Sequence, residues 1–313
     1  MGLSQVVKSG IVEGNKVSKV FEYCKKNNFA IPAVNVINSE SINATLESAA
    51  NANSAIMVQI NSENAKLFSG KVQKGDASIL GALIASSQVH TLSSYYKIPV
   101  IVTTDYVNTQ NMNWLDELLE MSIEYYKQNS IALFSSFGID LSSESRENAL
   151  KTAKKYLKKL SKIGMALEIK IGVNYANDNE LNNFYEELQT ISPDFMIAFS
   201  FIDEEFENKK SIFLRLQKNI QQQFKTKSKP LNLVFDGDYH TKKEVREVIN
   251  TGVVKINLDS EIKNAFCDGA NCYDDNSLVG KYIEPRKWLR ETQKTIIKKL
   301  NTSIKEYNGK NSL

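Results

Sequence analysis

The feature that most constrains this chain is an alternation of eight short apolar runs with longer helical stretches. The runs fall at 33–36, 55–60, 100–104, 131–134, 166–171, 195–200, 232–235 and 254–258. Each is β-branched or apolar and too short for a helix, which predicts strands buried on both faces. Between them, apolar residues recur at helical spacing over 39–53, 78–96, 113–128, 142–163, 179–191, 210–225 and 242–250; in the first of these, Ile42, Leu46 and Ala49 share one stripe. A serial βα alternation demands a parallel sheet, and eight units point to an α/β architecture closed as a (β/α)8 TIM barrel. Two further stretches, 15–27 and 285–307, predict extra N- and C-terminal helices, with Pro285 suited to a first helical turn. Such barrels typically need roughly 250 residues, and the terminal helices account for the excess in a chain of 313. No low-complexity linker interrupts the series, so 1–313 reads as a single domain.

Composition removes several classes of function. Lys and Arg number 39 against 36 Asp and Glu, a formal charge of +3, which gives no electrostatic case for a nucleic-acid binder. Cys24, Cys267 and Cys272 cannot build a disulfide framework and lack the paired spacing of a zinc ribbon. No stretch approaches the ~20 apolar residues of a transmembrane helix. The opening MGLSQVVKSG has no signal-peptide core, and Val6 stands where a myristoylation motif wants Ser or Thr. These readings place the protein in the cytoplasm. The lysines at 151, 154, 155, 158, 159 and 162 read as the solvated face of one helix, with docking on an acidic polymer as the alternative.

In a barrel of this kind the active site lies at the C-terminal ends of the strands. The residues there are Asn35, Asn61, Ser62, Asp105, Tyr106, Ser135, Ser136, Lys170, Glu204, Glu205, Asp236, Asn257 and Asp259. Carboxylates, amides and one lysine around a common mouth suit a small-molecule enzyme, although any mouth facing water is polar. The chain has only two histidines, His90 in a helical stretch and His240 after the seventh strand. A histidine-rich metal site is therefore excluded, and both histidines read as packing or capping groups.

Fragments over most of the chain resemble the class II, zinc-dependent fructose-bisphosphate aldolases. They include GIVEGNKVSKVFEYCKKNNFAIPAVNV, INATLESAA, ILGALIASSQVH, IPVIVTTDY, LFSSFGIDLSSES, SKIGMALEIKIG, ISPDF, LNLVFDG, GVVKINLDSE and EPRKWLR, all in collinear order. The resemblance implies a zinc ion held by three histidines at the ends of the third, sixth and seventh strands. In this chain those positions carry Tyr106 (in TTDY), Glu205 (in SFIDEEFENKK) and Asp236 (in DGDYHT). Lys170 stands where the family has a glutamate, and the loop VNYANDNELNN is short, with no match to the family's proton-abstracting base. Asp238 and Tyr239 replace the glycine and serine that follow Gly237 in the family, and Phe206 replaces a glycine, at positions where a phosphate needs close backbone approach. Asn35, Asp105, Glu168, Gly237, Asn257, Asp259 and Arg286 match the family. The resemblance implies proton transfer at Asp105, with substrate and phosphate around Asn257, Asp259 and Arg286.

These departures set the expectation of a catalytically inactive homologue, a pseudoenzyme with a structural or scaffolding role in a larger assembly. On that reading Asn35, Asp105, Lys170, Asn257, Asp259 and Arg286 form a vestigial pocket with no catalytic residue and no cofactor, and Tyr106, Glu205 and Asp236 hold no metal. The expected partners are other proteins, with a homodimer as an option; no membrane or nucleic acid is expected, and binding of phosphorylated sugars is weakened. The alternative is a divergent enzyme or phosphometabolite sensor in which Asp105, Glu205 and Asp236 hold Mg2+ or Mn2+. For Lys170, the expectation is an internal counterion among those acids. A Schiff-base role for it is a further variant, opposed by carboxylates that would favour the ammonium.

Overall fold

In the computed structural model, described over residues 2–173, 178–201, 204–226, 228–236, 240–271 and 285–313, strands and helices alternate except where two helices follow one another after β3 and after β9. The order is β1 (Gly10–Ile11), α1 (Gly14–Asn27), β2 (Ile31–Asn35), α2 (Ser39–Ala52), β3 (Ile56–Ile60), α3 (Ser62–Ser69), α4 (Ala77–Tyr96), β4 (Pro99–Asn108), α5 (Met112–Asn129) and β5 (Ser136–Asp140). It continues with α6 (Arg146–Leu160), β6 (Ala166–Gly172), α7 (Asp178–Gln189), β7 (Phe195–Ser200), α8 (Phe206–Phe224), β8 (Leu233–Asp236), α9 (Lys242–Asn250), β9 (Val253–Leu258), α10 (Ser260–Asn271) and α11 (Pro285–Glu306). Strands β2 to β9 pair in parallel in sequence order, and β9 returns to β2 through Ala33 opposite Asn257. The result is the closed eight-stranded TIM barrel that the alternation predicts, with α1 and α11 as the additional terminal helices.

The two faces of each strand go to two separate cores. On β6, Leu167, Ile169 and Ile171 join the large cluster between barrel and helices, so Glu168 and Lys170 alternate into the barrel. The interior cluster holds Ala33, Met57, Ile101, Met196 and Val234 together with Val17, Val20 and Phe21 of α1. Helix α1 therefore seals one end of the barrel with apolar side chains, each contributing roughly 1.5–3 kcal/mol on burial. The polar residues are left to the other end. Local signals fix where helices begin: Asn38 caps α2 and Thr241 caps α9, each in a capping box.

One strand differs from its expectation. Residues 131–134 are buried or half-buried but lie outside any strand, and β5 is instead Ser136–Asp140. The apolar run is interrupted by two serines that read as a strand end. Both are buried, because their hydroxyls are satisfied inside. Ser135 Oγ donates to the Val12 carbonyl at 2.6 Å and accepts the Val102 N–H at 3.2 Å; Ser136 Oγ donates to Thr103 Oγ1 at 2.9 Å. They sit at the start of β5, so they leave the list of mouth residues and Asp140 takes the strand's C-terminal end. Ser135 thereby joins β4 to the segment after β1, whose Gly10 pairs with Pro99 and patches the seam below the β4–β5 contact.

The lysine-bearing face of α6 behaves as a solvated face that ties neighbouring helices. Lys154 pairs with Glu187 of α7, and Lys159 lies 3.3 Å from Asp116 of α5. Among the described residues no helix is long and apolar enough to cross a membrane. Because Ser135 is buried and bonds in both directions, Ser135→Ala leaves a buried carbonyl and a buried N–H unpaired. It should lower unfolding free energy by about 1–3 kcal/mol in urea titrations, whereas Ser142→Ala, in the loop after β5, should change it little.

Candidate active site at the barrel mouth

Two irregularities in the sheet aim the site. Between β4 and β5 the register runs from Thr103 opposite Ser136 to Tyr106 opposite Gly138, so β4 carries one residue more than its partner. A bulge of this kind re-aims side chains, and here Asp105 and Tyr106 both turn inward: Asp105 bonds residues of β2 and β3, and Tyr106 packs on the interior cluster. Gly138 makes room for it, since a Cβ there would lie 3.1 Å from the carbonyl oxygens of both Thr104 and Asp105. The second irregularity lies between Leu233–Val253 and Val234–Lys255 on β8 and β9. It places Val254 in the interior cluster and Lys255 in the barrel as well.

A continuous polar chain crosses the interior. Lys255 Nζ lies 2.6 Å from Glu168 Oε2 and donates to Gln59 Oε1, also at 2.6 Å. Gln59 Nε2 donates to Asp105 Oδ1 at 3.0 Å, and Asn35 Nδ2 donates to Asp105 Oδ2 at 3.0 Å. The backbone N–H of Tyr106 completes the cradle at 2.8 Å. Burial holds the Asp105 carboxyl above the usual carboxylate range, against the opposing pull of the Tyr106 N–H, Lys255 and Asn35. Tyr106 is pushed up well above an ordinary phenol, first by burial and then by the charges of Glu168 and Asp236. Its hydroxyl therefore keeps its proton.

The sequence candidates are distributed unevenly around this chain. Asn257 reaches the mouth and donates to Asp236 Oδ1 at 3.1 Å. Asp259 accepts from Lys263 on one oxygen at 2.6 Å, and its charge reaches Asp105. Asp236 and Glu205 are both exposed, Glu205 as the residue before α8. Asn61 caps α3 by accepting the Asn64 N–H at 2.8 Å. Lys170 lies with its ammonium 5.0 Å from the centre of the Tyr106 ring. The internal counterion expected at Lys170 is instead Lys255, since among the described residues no carboxylate is at ion-pair distance from Lys170. Arg286 falls in α11, its side chain outside the described residues, as are Gly237, Asp238, Tyr239 and the 174–177 part of the short loop.

Several buried polar atoms at this end have no complete hydrogen bond. They are Asn35 Oδ1, Tyr106 Oη, Glu168 Oε1, Asn257 Oδ1 and Asp259 Oδ1, with the Tyr106 hydroxyl facing Glu168 and Asn257. Such atoms are costly unless something bound supplies their partners.

The zinc ion implied by the resemblance does not fit these residues. Among the described residues no group of three His, Cys, Asp or Glu side chains could hold a metal, and the three positions supply a buried neutral phenol and two exposed carboxylates. The expected Mg2+ or Mn2+ site of Asp105, Glu205 and Asp236 is not assembled for the same reason. Neither histidine compensates. His90 Nε2 lies 2.9 Å from the Leu133 carbonyl and its ring packs edge-on against Tyr125, while His240 packs at a tilt against Phe235 and Phe206.

A closed barrel with a polar, incompletely satisfied mouth is the form of a small-molecule TIM-barrel enzyme. The family model for fructose-bisphosphate aldolase class-II matches residues 15–312, and the chain belongs to that family. It is 35% identical to the class 2 fructose-bisphosphate aldolase of Buchnera aphidicola from Acyrthosiphon pisum over all of both chains. It is 34% identical to that of Escherichia coli K12 over 97% of each. The crystal structure of the Campylobacter jejuni fructose-bisphosphate aldolase superposes with a TM-score of 0.94 at 35% identity, over 100% of this chain and 99% of that one. The Escherichia coli YdjI aldolase shares the fold at 15% identity and a TM-score of 0.69, covering 96% of this chain and 98% of that one. These relatives correct the expectation of an inactive, structural pseudoenzyme: proteins similar to this one from end to end are named as aldolases, so the chain is read as an enzyme.

Sequence reasoning missed Gln59 and Lys255 as parts of the site. The signal was present, because the Lys of VVKINL and the lone Gln of IMVQI interrupt strands that are largely apolar. Lys255→Met removes one partner of a fully buried ion pair and should cost about 3–5 kcal/mol in urea unfolding. Pairing it with Glu168→Gln should restore part of that loss, because the orphaned charge is gone.

Proposed function

We propose that this protein is a fructose-bisphosphate aldolase, a lyase that cleaves and forms a carbon–carbon bond of a phosphorylated ketose at the barrel mouth, in the cytoplasm. The observation that carries the reading is the convergence of incompletely hydrogen-bonded buried polar atoms from Asn35, Tyr106, Glu168, Asn257 and Asp259. A sugar chain presents several hydroxyls and one carbonyl within a few bonds, and those groups match acceptors gathered around one donor. The full-length likeness to aldolases supports the same substrate class.

Cleavage asks three things of the residues present. The polyol must be held in one orientation, which the amides of Asn35 and Asn257 and the free oxygens of Glu168 and Asp259 can do. Negative charge developing on an oxygen must be met by a fixed donor; the Tyr106 hydroxyl is that donor, since burial and neighbouring acids keep it protonated. A hydroxyl proton must leave, and a carboxylate whose proton affinity is raised by burial is the better base. Asp105 has that property and is held rigidly by Asn35 and Gln59. None of these roles passes through zinc.

Purified protein supplied with fructose 1,6-bisphosphate should release triose phosphates above the uncatalysed rate. Tyr106→Phe should lower kcat by about 10²–10³-fold with a much smaller effect on KM, its unfolding curve remaining cooperative. No triose phosphate release at saturating substrate would overturn the assignment.

A further inference from the structure

We propose that the end of the barrel opposite the mouth carries a second ligand site, a cleft at the C-terminal turn of α1 that takes a small hydroxyl-bearing phosphate ester on the ammonium groups of Lys25 and Lys229. The site is separate from the mouth, and its ligand is independent of the aldolase reading.

Helix α1 packs Val17, Val20, Phe21 and Cys24 into the interior cluster at this end. Lys25 follows Phe21 by four residues and so lies on the same face of the helix, where the packing otherwise takes apolar side chains. Its side chain is only 5% exposed. The carboxylate against it is Glu22, 2.5 Å away and itself largely in water, and that contact completes no hydrogen bond. An ammonium has three N–H groups to place. Cys24 alongside brings no negative charge, because burial pushes its thiol well up. Burial lowers the proton affinity of Lys25 in spite of Glu22. A cation in this condition is costly unless a bound group completes its partners.

The surroundings say what that group is. Lys25 lines an open cleft of about 810 Å³ with Lys19, Lys26 and Lys229, and Glu22 is the one acid among the lining residues. Lys26 complements the free carbonyls at the end of α1, which accounts for a single lysine of the four. Lys229 comes from the loop before β8, in the left-handed region at φ 55°, and its ammonium donates to Asn28 Oδ1 at 2.7 Å. Its proton affinity is lowered by burial and by the charge of Lys25, so the two ammonium groups repel one another. A phosphate dianion bound to both reverses that repulsion and accepts their unused N–H groups in charge-assisted hydrogen bonds.

The cleft adjoins another of about 650 Å³, and Glu22, Ser228 and Lys229 line both. The second holds two further buried atoms without a hydrogen bond, Thr226 Oγ1 and Asn232 Oδ1. Asn232 Nδ2 already donates to the Phe195 carbonyl at 3.1 Å, which leaves Oδ1 asking for a donor. A phosphate dianion has acceptors for the lysines and no donor for Asn232. An ester whose carbon chain bears a hydroxyl supplies both.

The test titrates the whole protein with glycerol 3-phosphate at constant ionic strength. It follows the backbone amide resonances of Asn28, Ser228 and Lys229 beside those of Asp105 and Asn257 in the mouth. The expected result is saturating shifts at the first three, with inorganic phosphate needing a higher concentration for the same shifts. Lys25→Met and Lys229→Gln should each raise the midpoint at these amides about tenfold and leave the mouth resonances unchanged, while Lys151→Met should alter neither. Lys229 lies in a loop, so Lys229→Gln alone decides the matter if Lys25→Met does not fold. No saturating shift at the three amides, or midpoints unmoved by the substitutions, overturns the site; inorganic phosphate binding there as tightly as the ester overturns the ester. Shifts confined to the mouth overturn the second site and leave the aldolase reading standing.

Discussion

Lys255 and Glu168 meet at 2.6 Å inside a barrel that excludes water from both side chains, and the polar layer above them is arranged to make that burial tolerable. An isolated charge at this depth would cost several kcal/mol, and a paired one repays that only if its remaining hydrogen-bonding capacity is used. The ammonium spends a second donor on Gln59, the amide of Gln59 spends its own donor on Asp105, and Asn35 closes the far side. Each member is fixed by the next. The second oxygen of Glu168 is less well satisfied, facing the Tyr106 hydroxyl without a complete hydrogen bond. A pocket lined by side chains already locked by their neighbours orders a ligand at little entropic cost.

The bulges are what bring that network to one level. Regular pleating would send one of Asp105 and Tyr106 into the helical layer, since successive side chains alternate. The extra residue on β4 turns both inward, and Gly138 leaves room for the displaced carbonyls. The shift on β9 does the same for Lys255. The first lies midway along β4 and the second at the start of β9, and the side chains they re-aim line the barrel interior. At the end opposite the mouth Val17, Val20 and Phe21 of α1 fill the barrel with side chains that need no partners.

The alternation that marks the fold is legible because it rests on local physics: short β-branched runs, helical stripes and capping residues each act within a few residues of sequence. The one misplaced strand shows the limit. Ser135 and Ser136 look like a turn until Val12, Val102 and Thr103 are known to satisfy their hydroxyls, and those partners come from elsewhere in the chain. For the site, strand-end position was enough to nominate Asn35, Asp105, Lys170 and Asn257. It could not separate Lys170 from Lys255 as the paired lysine, because a sheet register shift decides which side chain enters the barrel and how deep. Nor could it foresee that Glu205 stands exposed before a helix while Tyr106 packs inside.

That division of exposure also accounts for which replacements the mouth accepted at the three positions where the resemblance implies histidine. The position whose polar atom is buried carries a neutral phenol, and the carboxylates occupy the two that face water. Reversing them would bury a second ionisable acid beside Glu168, at a larger cost than that of a hydroxyl. Lys170 fits the same logic. Where the resemblance implies a glutamate, this chain has a cation whose ammonium lies beside the Tyr106 ring, and among the described residues no metal site is assembled. A barrel whose walls are set by apolar packing can make such an exchange without refolding, because the strand ends contribute chemistry while the layers beneath them contribute stability.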